Sequence, residues 1–213
     1  NSVNNDFAGI KNWFNEFYAR DTSRKIRAVQ KAKGERGVPL TVNVPYGYVK
    51  DPENPKHWLV DPEAAAVVKR IFAMCMEGRG PSQIANQLRE DKVLTPTAYK
   101  LSHGRSTNAP APEDPYRWDK RAVSLILERR EYTGCTVNFK TYTNSIWDKK
   151  RHLNPVENQA IFPDTHERII DDDVFEKVQE IRNQRHRMTR TGKSSIFSGM
   201  VYCADCGSKM QYG

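Results

Sequence analysis

The chain has 213 residues, with 34 Lys and Arg against 26 Asp and Glu, a net charge of +8 that favours polyanionic partners without fixing where they bind. No run approaches the roughly 18 apolar residues of a membrane span, and no signal peptide opens the chain, so a soluble cytoplasmic protein of one or two domains is expected. Four cysteines, two of them in a CxxC, are too few and too unevenly placed for a secreted disulfide scaffold.

From about Asp6 to Lys33 neither proline nor a turn cluster interrupts the chain, apart from Gly9, and one long helix is predicted. Phe7, Ile10, Phe14 and Phe17 recur at three-four-three spacing, a packing seam for a partner helix or domain. Asp21 and Arg24 take the next seam positions, and the helix turns basic with Arg20, Arg24, Lys25, Arg27, Lys31, Lys33 and, just beyond, Arg36. A solvated charged face explains such a run, and so does an element that associates at one end and meets phosphates at the other. Gly34-Glu35-Arg36-Gly37 then breaks the helix, as a flexible linker or as a Gly-Arg segment of the kind that lies in a narrow minor groove.

Thr41 to Lys50 and His57 to Val60 read as strands of a small hairpin around the turn-rich residues 51 to 55. Asp61-Pro62-Glu63 starts a helix with Ala64, Val67, Val68, Ile71, Phe72, Cys75 and Met76 inward, ending at Gly78. Ser82 is placed to cap a second helix whose Ile84, Ala85 and Leu88 share a face. The proline-rich residues 95 to 116 read as a mobile surface loop. A third helix follows Trp118, with Asp119 as cap, Val123, Ile126 and Leu127 inward, and Lys120, Arg121 and Ser124 near its exposed N-terminus, ahead of Arg129. The last two helices have the form of a helix-turn-helix pair that would enter a major groove, or of two ordinary amphipathic helices in a small bundle.

Cys135 to Tyr142 alternates like a strand, with Thr143 to Trp147 as its mate and Cys135 in the core. Glu167 to Ile170 reads as a short strand leading into Asp171-Asp172-Asp173, acids that complement the dipole of a helix with Val174, Phe175, Val178 and Ile181 inward. Arg182, Arg185, Arg187, Arg190 and Lys193 form a second cationic stretch. Cys203-Ala204-Asp205-Cys206-Gly207 has the form of a zinc knuckle rather than of a redox CxxC, since no thioredoxin-like pattern surrounds it. The five histidines stand at non-ligand spacing, so the other half of a zinc site is expected beyond Gly213, and zinc in this chain alone is expected to be weak or absent. No phosphate loop, nucleophile elbow or metal-binding carboxylate pair is present.

Five ordered blocks carry a resemblance: Val44-Pro45-Tyr46-Gly47-Tyr48; Val60-Asp61-Pro62-Glu63 through Ile71-Phe72; Gly78 with Ser82-x-x-Ile84-Ala85-x-x-Leu88; Trp118 with Val123, Ile126 and Leu127; and Tyr132-x-Gly134. In order and spacing they resemble the recombinase domain of the large serine recombinases, over about Val38 to Arg190. The resemblance implies that residues 1–36 close a catalytic domain, 37–192 form the DNA-binding recombinase domain, and 193–213 open a zinc ribbon. It implies no catalytic residue in this chain, because the nucleophilic serine belongs to the part of the catalytic domain that has no counterpart here. The parent would cut both DNA strands at paired attachment sites through a phosphoserine link and exchange them within a tetramer, integrating or excising a mobile element or prophage; the covalent link conserves the diester energy, so no nucleotide cofactor is needed.

The expected fold is α+β and mainly helical, with a helix-turn-helix-like pair and a small antiparallel sheet behind a long helix. The expected partner is double-stranded attachment-site DNA, with the parent self-associating. Candidate DNA-binding residues are Arg24, Arg27, Lys31, Lys33, Arg36, Lys120, Arg121, Ser124, Arg129, Arg185 and Arg187; candidate zinc ligands are Cys203 and Cys206. A stand-alone helix-turn-helix regulator, or an interaction module in which the basic charge is incidental, are the competing readings.

Overall fold

A computed structural model describes residues 3–41, 43–107, 109–144, 147, 150–184, 201–205 and 207. The fold is α+β, with six helices and three two-stranded antiparallel sheets among these residues. In chain order they are α1 (Val3–Glu35), β1 (Tyr48–Lys50), β2 (Trp58–Val60), α2 (Pro62–Met76), α3 (Pro81–Glu90), α4 (Pro96–Ser102), α5 (Lys120–Leu127), β3 (Thr136–Asn138), β4 (Thr141–Tyr142), β5 (His152–Leu153), β6 (Ala160–Phe162) and α6 (Asp172–Gln184). The chain forms two compact units, one of Asn1–Ala66 with Arg130–Ile170 and one of Val67–Arg129 with Asp171–Gly213. No helix is long and apolar enough to cross a membrane among the described residues.

The first unit is organised around Tyr132, which lies in the short helical turn Arg130–Thr133 and is fully buried. Its hydroxyl donates to Tyr46 O at 2.8 Å, and its carbonyl accepts from both Ile169 N and Ile170 N at 2.9 and 3.0 Å. Those two amides are thereby used, so residues 167–170 form a bend and not the expected strand. The expected strand from Thr41 shrinks to Tyr48–Lys50, because Pro45 and Gly47 (φ +101°) make a turn closed by Tyr48 N to Pro45 O. Tyr48 then pairs with Val60 and Lys50 with Trp58. The run 135–142 is not one strand either. Phe139 adopts φ +59° and divides it; β3 pairs with β6 in the register Val137↔Ile161, while β4 pairs with β5. The expected mate, residues 143–147, is therefore incorrect.

The second unit buries apolar helix faces. α3 packs against α5 through Ile84, Leu88, Val123 and Leu127, none of which is exposed. α6 adds Phe175 and Val178, and Phe175 meets Phe72 of α2 at 6.3 Å between ring centroids. Met76, expected inward, is 39 % exposed in the last turn of α2. Gly80, not Ser82, caps α3, with Pro81 in the first turn and the Gln83 side chain accepting from Gly80 N at 2.8 Å. The stretch expected to be a mobile loop contains α4, where Thr95 caps the helix and Ala98 and Tyr99 are buried. Its far end is tied back by Thr95 N to Pro115 O at 2.9 Å and by an Arg89–Asp114 ion pair at 3.1 Å.

Candidate nucleic-acid interface

α1 is long because nothing in its sequence offers a competing turn, and it ends where Gly37 takes φ +76°. In its second half some basic residues are neutralised along the helix: Lys25 by Asp21 at 2.7 Å and Lys31, loosely, by Glu35 at 3.8 Å. Arg24, Arg27, Lys33 and Arg36 are exposed and have no ion-pair partner among the described residues. Exposed cations without acidic partners are the form a phosphate-binding helix requires, since each has only water to give up. The first half carries the expected apolar seam, and its described members Ile10, Phe14 and Phe17 are more than half exposed, as are Trp13 and Tyr18. Trp13 stacks on Phe17 at 5.6 Å and meets Phe14 edge-on at 5.4 Å, so the aromatic surface is wider than the spacing of Phe7, Ile10, Phe14 and Phe17 indicated.

The exit from α1 is fixed by Asn138, a residue that periodicity and charge did not single out. Its side-chain amide donates to Gly34 O at 3.1 Å and Val38 O at 3.0 Å, and its oxygen accepts from Leu40 N at 3.1 Å. Asn138 is 3 % exposed. One buried amide on β3 thus bonds three backbone groups of the helix end and linker; Gly34 O also accepts from Gly37 N at 3.2 Å, while for Leu40 N and Val38 O Asn138 is the partner found among the described residues. Gly34 is buried under Phe139, where an added Cβ would fall 2.3 Å from a ring carbon. The segment 34–40 is latched to the sheet and is not a free linker.

In the second unit α5 is held by burial of Val123, Ile126 and Leu127. Asp119 accepts from Arg121 N at 2.6 Å and caps the helix, and the Trp118 indole donates to Val93 O at 3.0 Å, fixing the direction of entry. Gln179 of α6 donates to Leu127 O at 2.8 Å, satisfying a carbonyl of the last turn. Lys120 and Arg121 are left exposed on the first turn, without ion-pair partners among the described residues, while Ser124 and Arg129 are half-buried. Around Arg129 stand two further cations absent from the candidate set. Burial lowers the Lys100 ammonium below its ordinary value, and the nearby charges of Arg129 and Arg105 lower it further. Arg105 also lies over the Tyr99 ring at 5.9 Å. A basic-aromatic pairing, Tyr99-Lys100 before Arg105, was the signal available for them in the sequence.

Arg185, Arg187 and Cys206 lie outside the described residues. Cys203 is half-buried, and its carbonyl accepts from Gly207 N at 2.9 Å in a tight turn with Gly207 at φ +65°. Among the described residues no group of three or more His, Cys, Asp or Glu is placed to hold a metal. Cys75 is fully buried, and Cys135 donates to Arg130 O at 3.2 Å in a site whose burial pushes its thiol up. Both are structural.

Residues 62–185, more than half of the chain, match the family model described as Recombinase. The chain is 32 % identical over 96 residues to the uncharacterized protein YefB of Bacillus subtilis (strain 168), a match that takes in 45 % of this chain and 32 % of YefB. Among solved structures it is similar to one described as the crystal structure of an LSR–DNA complex, with a TM-score of 0.50 and 17 % identity over 87 % of this chain and 48 % of that one. A structure from work on the sequence requirements of the Listeria innocua prophage attP site is similar to the same degree, with a TM-score of 0.50 and 16 % identity over 87 % of this chain and 63 % of that one. The chain spans less than two thirds of the length of each of these relatives. At such identities the two structures speak for the fold, and the family model for descent. The chain belongs to the Recombinase family, that of the large serine recombinases which its ordered sequence blocks resemble.

Proposed function

We propose that this chain is the site-reading part of a site-specific serine recombinase, which holds attachment-site DNA while the parent exchanges strands to integrate or excise a mobile element. The observation that carries it is the pair of exposed cation sets without acidic partners among the described residues, Arg24, Arg27, Lys33 and Arg36 on and after α1 and Lys120 and Arg121 on α5. α5, packed on α3, is the helix that would enter the major groove, with Lys120, Arg121 and Ser124 toward base edges. The end of α1 and the latched segment 34–40 would follow the backbone and minor groove. Arg129 adds a phosphate contact beside α5, and Arg185 and Arg187 are assigned the same role. In the full protein Cys203 and Cys206 would supply two thiolates of a structural zinc site, whose chemistry is to fold a ribbon and not to react. The parent acts as a dimer or tetramer, and its nucleophilic serine belongs to its catalytic domain.

The test is a titration of this chain against DNA from the ends of the element that encodes it, beside scrambled DNA, at two salt concentrations. Lys120→Ala and Arg121→Ala are expected to weaken specific binding more than non-specific binding. Lys31→Ala and Arg36→Ala should weaken both and make the salt slope shallower by about 1 each. Equal loss of both kinds of binding in all four variants would sink this division of labour.

A further inference from the structure

In the first unit a cavity of about 260 Å³ opens between the latched segment after α1 and the β1–β2 turn. Arg36 lines it from one side and Lys56 and His57 from the other, and no carboxylate lines it. We propose that this cavity seats a backbone phosphate of the bound DNA, with Arg36, Lys56 and His57 as its donors, which makes the β1–β2 turn a second DNA-contacting element of this unit. The inference rests on the DNA-reading function proposed above.

The donors are available. Lys56 and Arg36 are exposed and have no ion-pair partner among the described residues. His57 has its Nδ1 3.7 Å from Asp51, too far for a hydrogen bond, so the single N–H of the neutral ring can stand on Nε2 toward a ligand. Asp51 is also engaged elsewhere, accepting from Glu53 N at 2.9 Å.

No charged side chain lines the floor. Trp58 and His166 are buried there. His166 is occupied on both nitrogens, with Nε2 donating to Glu131 O at 2.8 Å and Nδ1 accepting from the Thr165 hydroxyl at 3.0 Å. An aromatic, neutral floor lowers the local dielectric and strengthens the attraction of the rim cations for an anion.

Both walls are tied down by hydrogen bonds of the protein itself. On one side Asn138 binds Gly34 O and Val38 O, and Gly37 sits over the Phe162 ring with 3.1 Å for an added Cβ. On the other, His57 N donates to Asn54 O at 2.8 Å and Asp51 N to His57 O at 3.1 Å, so the turn carrying Lys56 is closed by two backbone hydrogen bonds. Donors held in place lose little freedom on binding, which favours affinity. A polymer diester suits the site better than a free anion because Arg36 follows, in the same unit, the helix that carries the exposed Arg24 and Arg27 about 60° apart on one face, so the cavity is one of several cationic contacts open to a single strand.

The test is fluorescence anisotropy with the whole chain across a salt series, on element-end and scrambled DNA. The variants are Lys56→Glu, Lys56→Ala with His57→Gln, and Lys120→Ala with Arg121→Ala as reference; circular dichroism checks their folding, and Lys56 stands on an exposed turn where it supports no packing. The cavity variants are expected to weaken binding to both DNAs equally and to reduce the salt slope by about 1, whereas the α5 variant mainly loses preference for element ends. Wild-type binding with an unchanged slope in folded Lys56→Glu and in the double variant overturns the phosphate seat and leaves the site-reading function standing. No binding of wild type to either DNA overturns both. Thermal stabilisation by inorganic phosphate that the cavity variants abolish, with their DNA binding intact, identifies a free-anion site and also overturns the proposal.

Discussion

The two units are stabilised by different means. The first closes on buried polar groups: Tyr132 reaches Tyr46 O, Tyr48 reaches Glu167 O at 2.8 Å, Asn138 makes three hydrogen bonds and His166 two. The second closes on helix faces, with Val68, Ile71, Phe72, Ile84, Leu88, Val123 and Leu127 at 0 or 1 % exposure and its ion pairs at the rim. Apolar burial is non-directional, so it holds α5 while leaving the outward side chains of that helix free to vary. A buried polar network is directional, and each lost member strands a partner. The unit that must fix a backbone path at 34–40 uses the second kind of stabilisation, and the unit that presents a side-chain surface uses the first.

The hardest blow to this contrast is aimed at the apolar unit. Phe72→Ala should destabilise by about 3–5 kcal/mol, through lost burial and the cavity left against Phe175. Arg89→Ala, which removes the exposed pair with Asp114, should cost less than about 1 kcal/mol. Urea unfolding curves compare the two, and similar losses would show that the rim pairs share in holding this unit.

Next in size is Asn138→Ala, which takes the side-chain partner from half-buried Leu40 N and Val38 O and leaves Gly34 O with Gly37 N alone, and should cost about 1–3 kcal/mol. Its distinguishing mark is local. Hydrogen exchange at Leu40 should accelerate while the amides of α3 and α5 stay protected. Uniform acceleration throughout the chain would mean that Asn138 supports general stability and not the latch.

These effects also mark what could be read from the sequence. The helices of the second unit were legible because their apolar positions repeat at helical spacing, as in Ile84, Ala85 and Leu88 or Val123, Ile126 and Leu127. The exposed cations of α1 and α5 were legible as charge runs. The sheets of the first unit were not, since strands of two or three residues are too short for alternation to identify. Their pairing is decided by the positive φ of Phe139 and by which backbone groups Tyr132 occupies. Asn138 carries no periodic or motif signal, because its role depends on residues about a hundred positions away. α4 was hidden by prolines that read as loop, although Pro96 stands in a helix's first turn, where proline fits.

A smaller effect is expected at the start of α5. Asp119→Ala removes the bond to Arg121 N and should cost about 1 kcal/mol. Asp119→Asn keeps a capping oxygen and removes a negative charge beside Lys120 and Arg121. That variant should therefore retain stability and bind DNA at least as tightly as wild type in the anisotropy titration. Weaker binding by a stable Asp119→Asn would mean that the carboxylate positions the two cations and does not merely cap the helix.

The smallest effect is a pH dependence centred on His166. Burial holds this imidazole below its ordinary value of 6.5; the Glu131 carbonyl and carboxylate oppose that shift, and His57 adds to it. The Tyr48 and Trp58 rings, each with its centroid 4.8 Å away, take up space where water would otherwise solvate a charged form. Above pH 6.5 neither the folded nor the unfolded chain protonates this group, and its contribution to stability is complete. As pH falls below 6.5 the unfolded chain takes up a proton that the folded chain refuses, so stability declines until the folded value is reached. His166→Gln retains an N–H donor for Glu131 O but has no proton to gain. Urea midpoints at about pH 7.5 and about pH 5.5 should therefore lie closer together in that variant than in wild type. An equal separation would assign the acid sensitivity to other groups and leave His166 as a neutral spacer within the polar network.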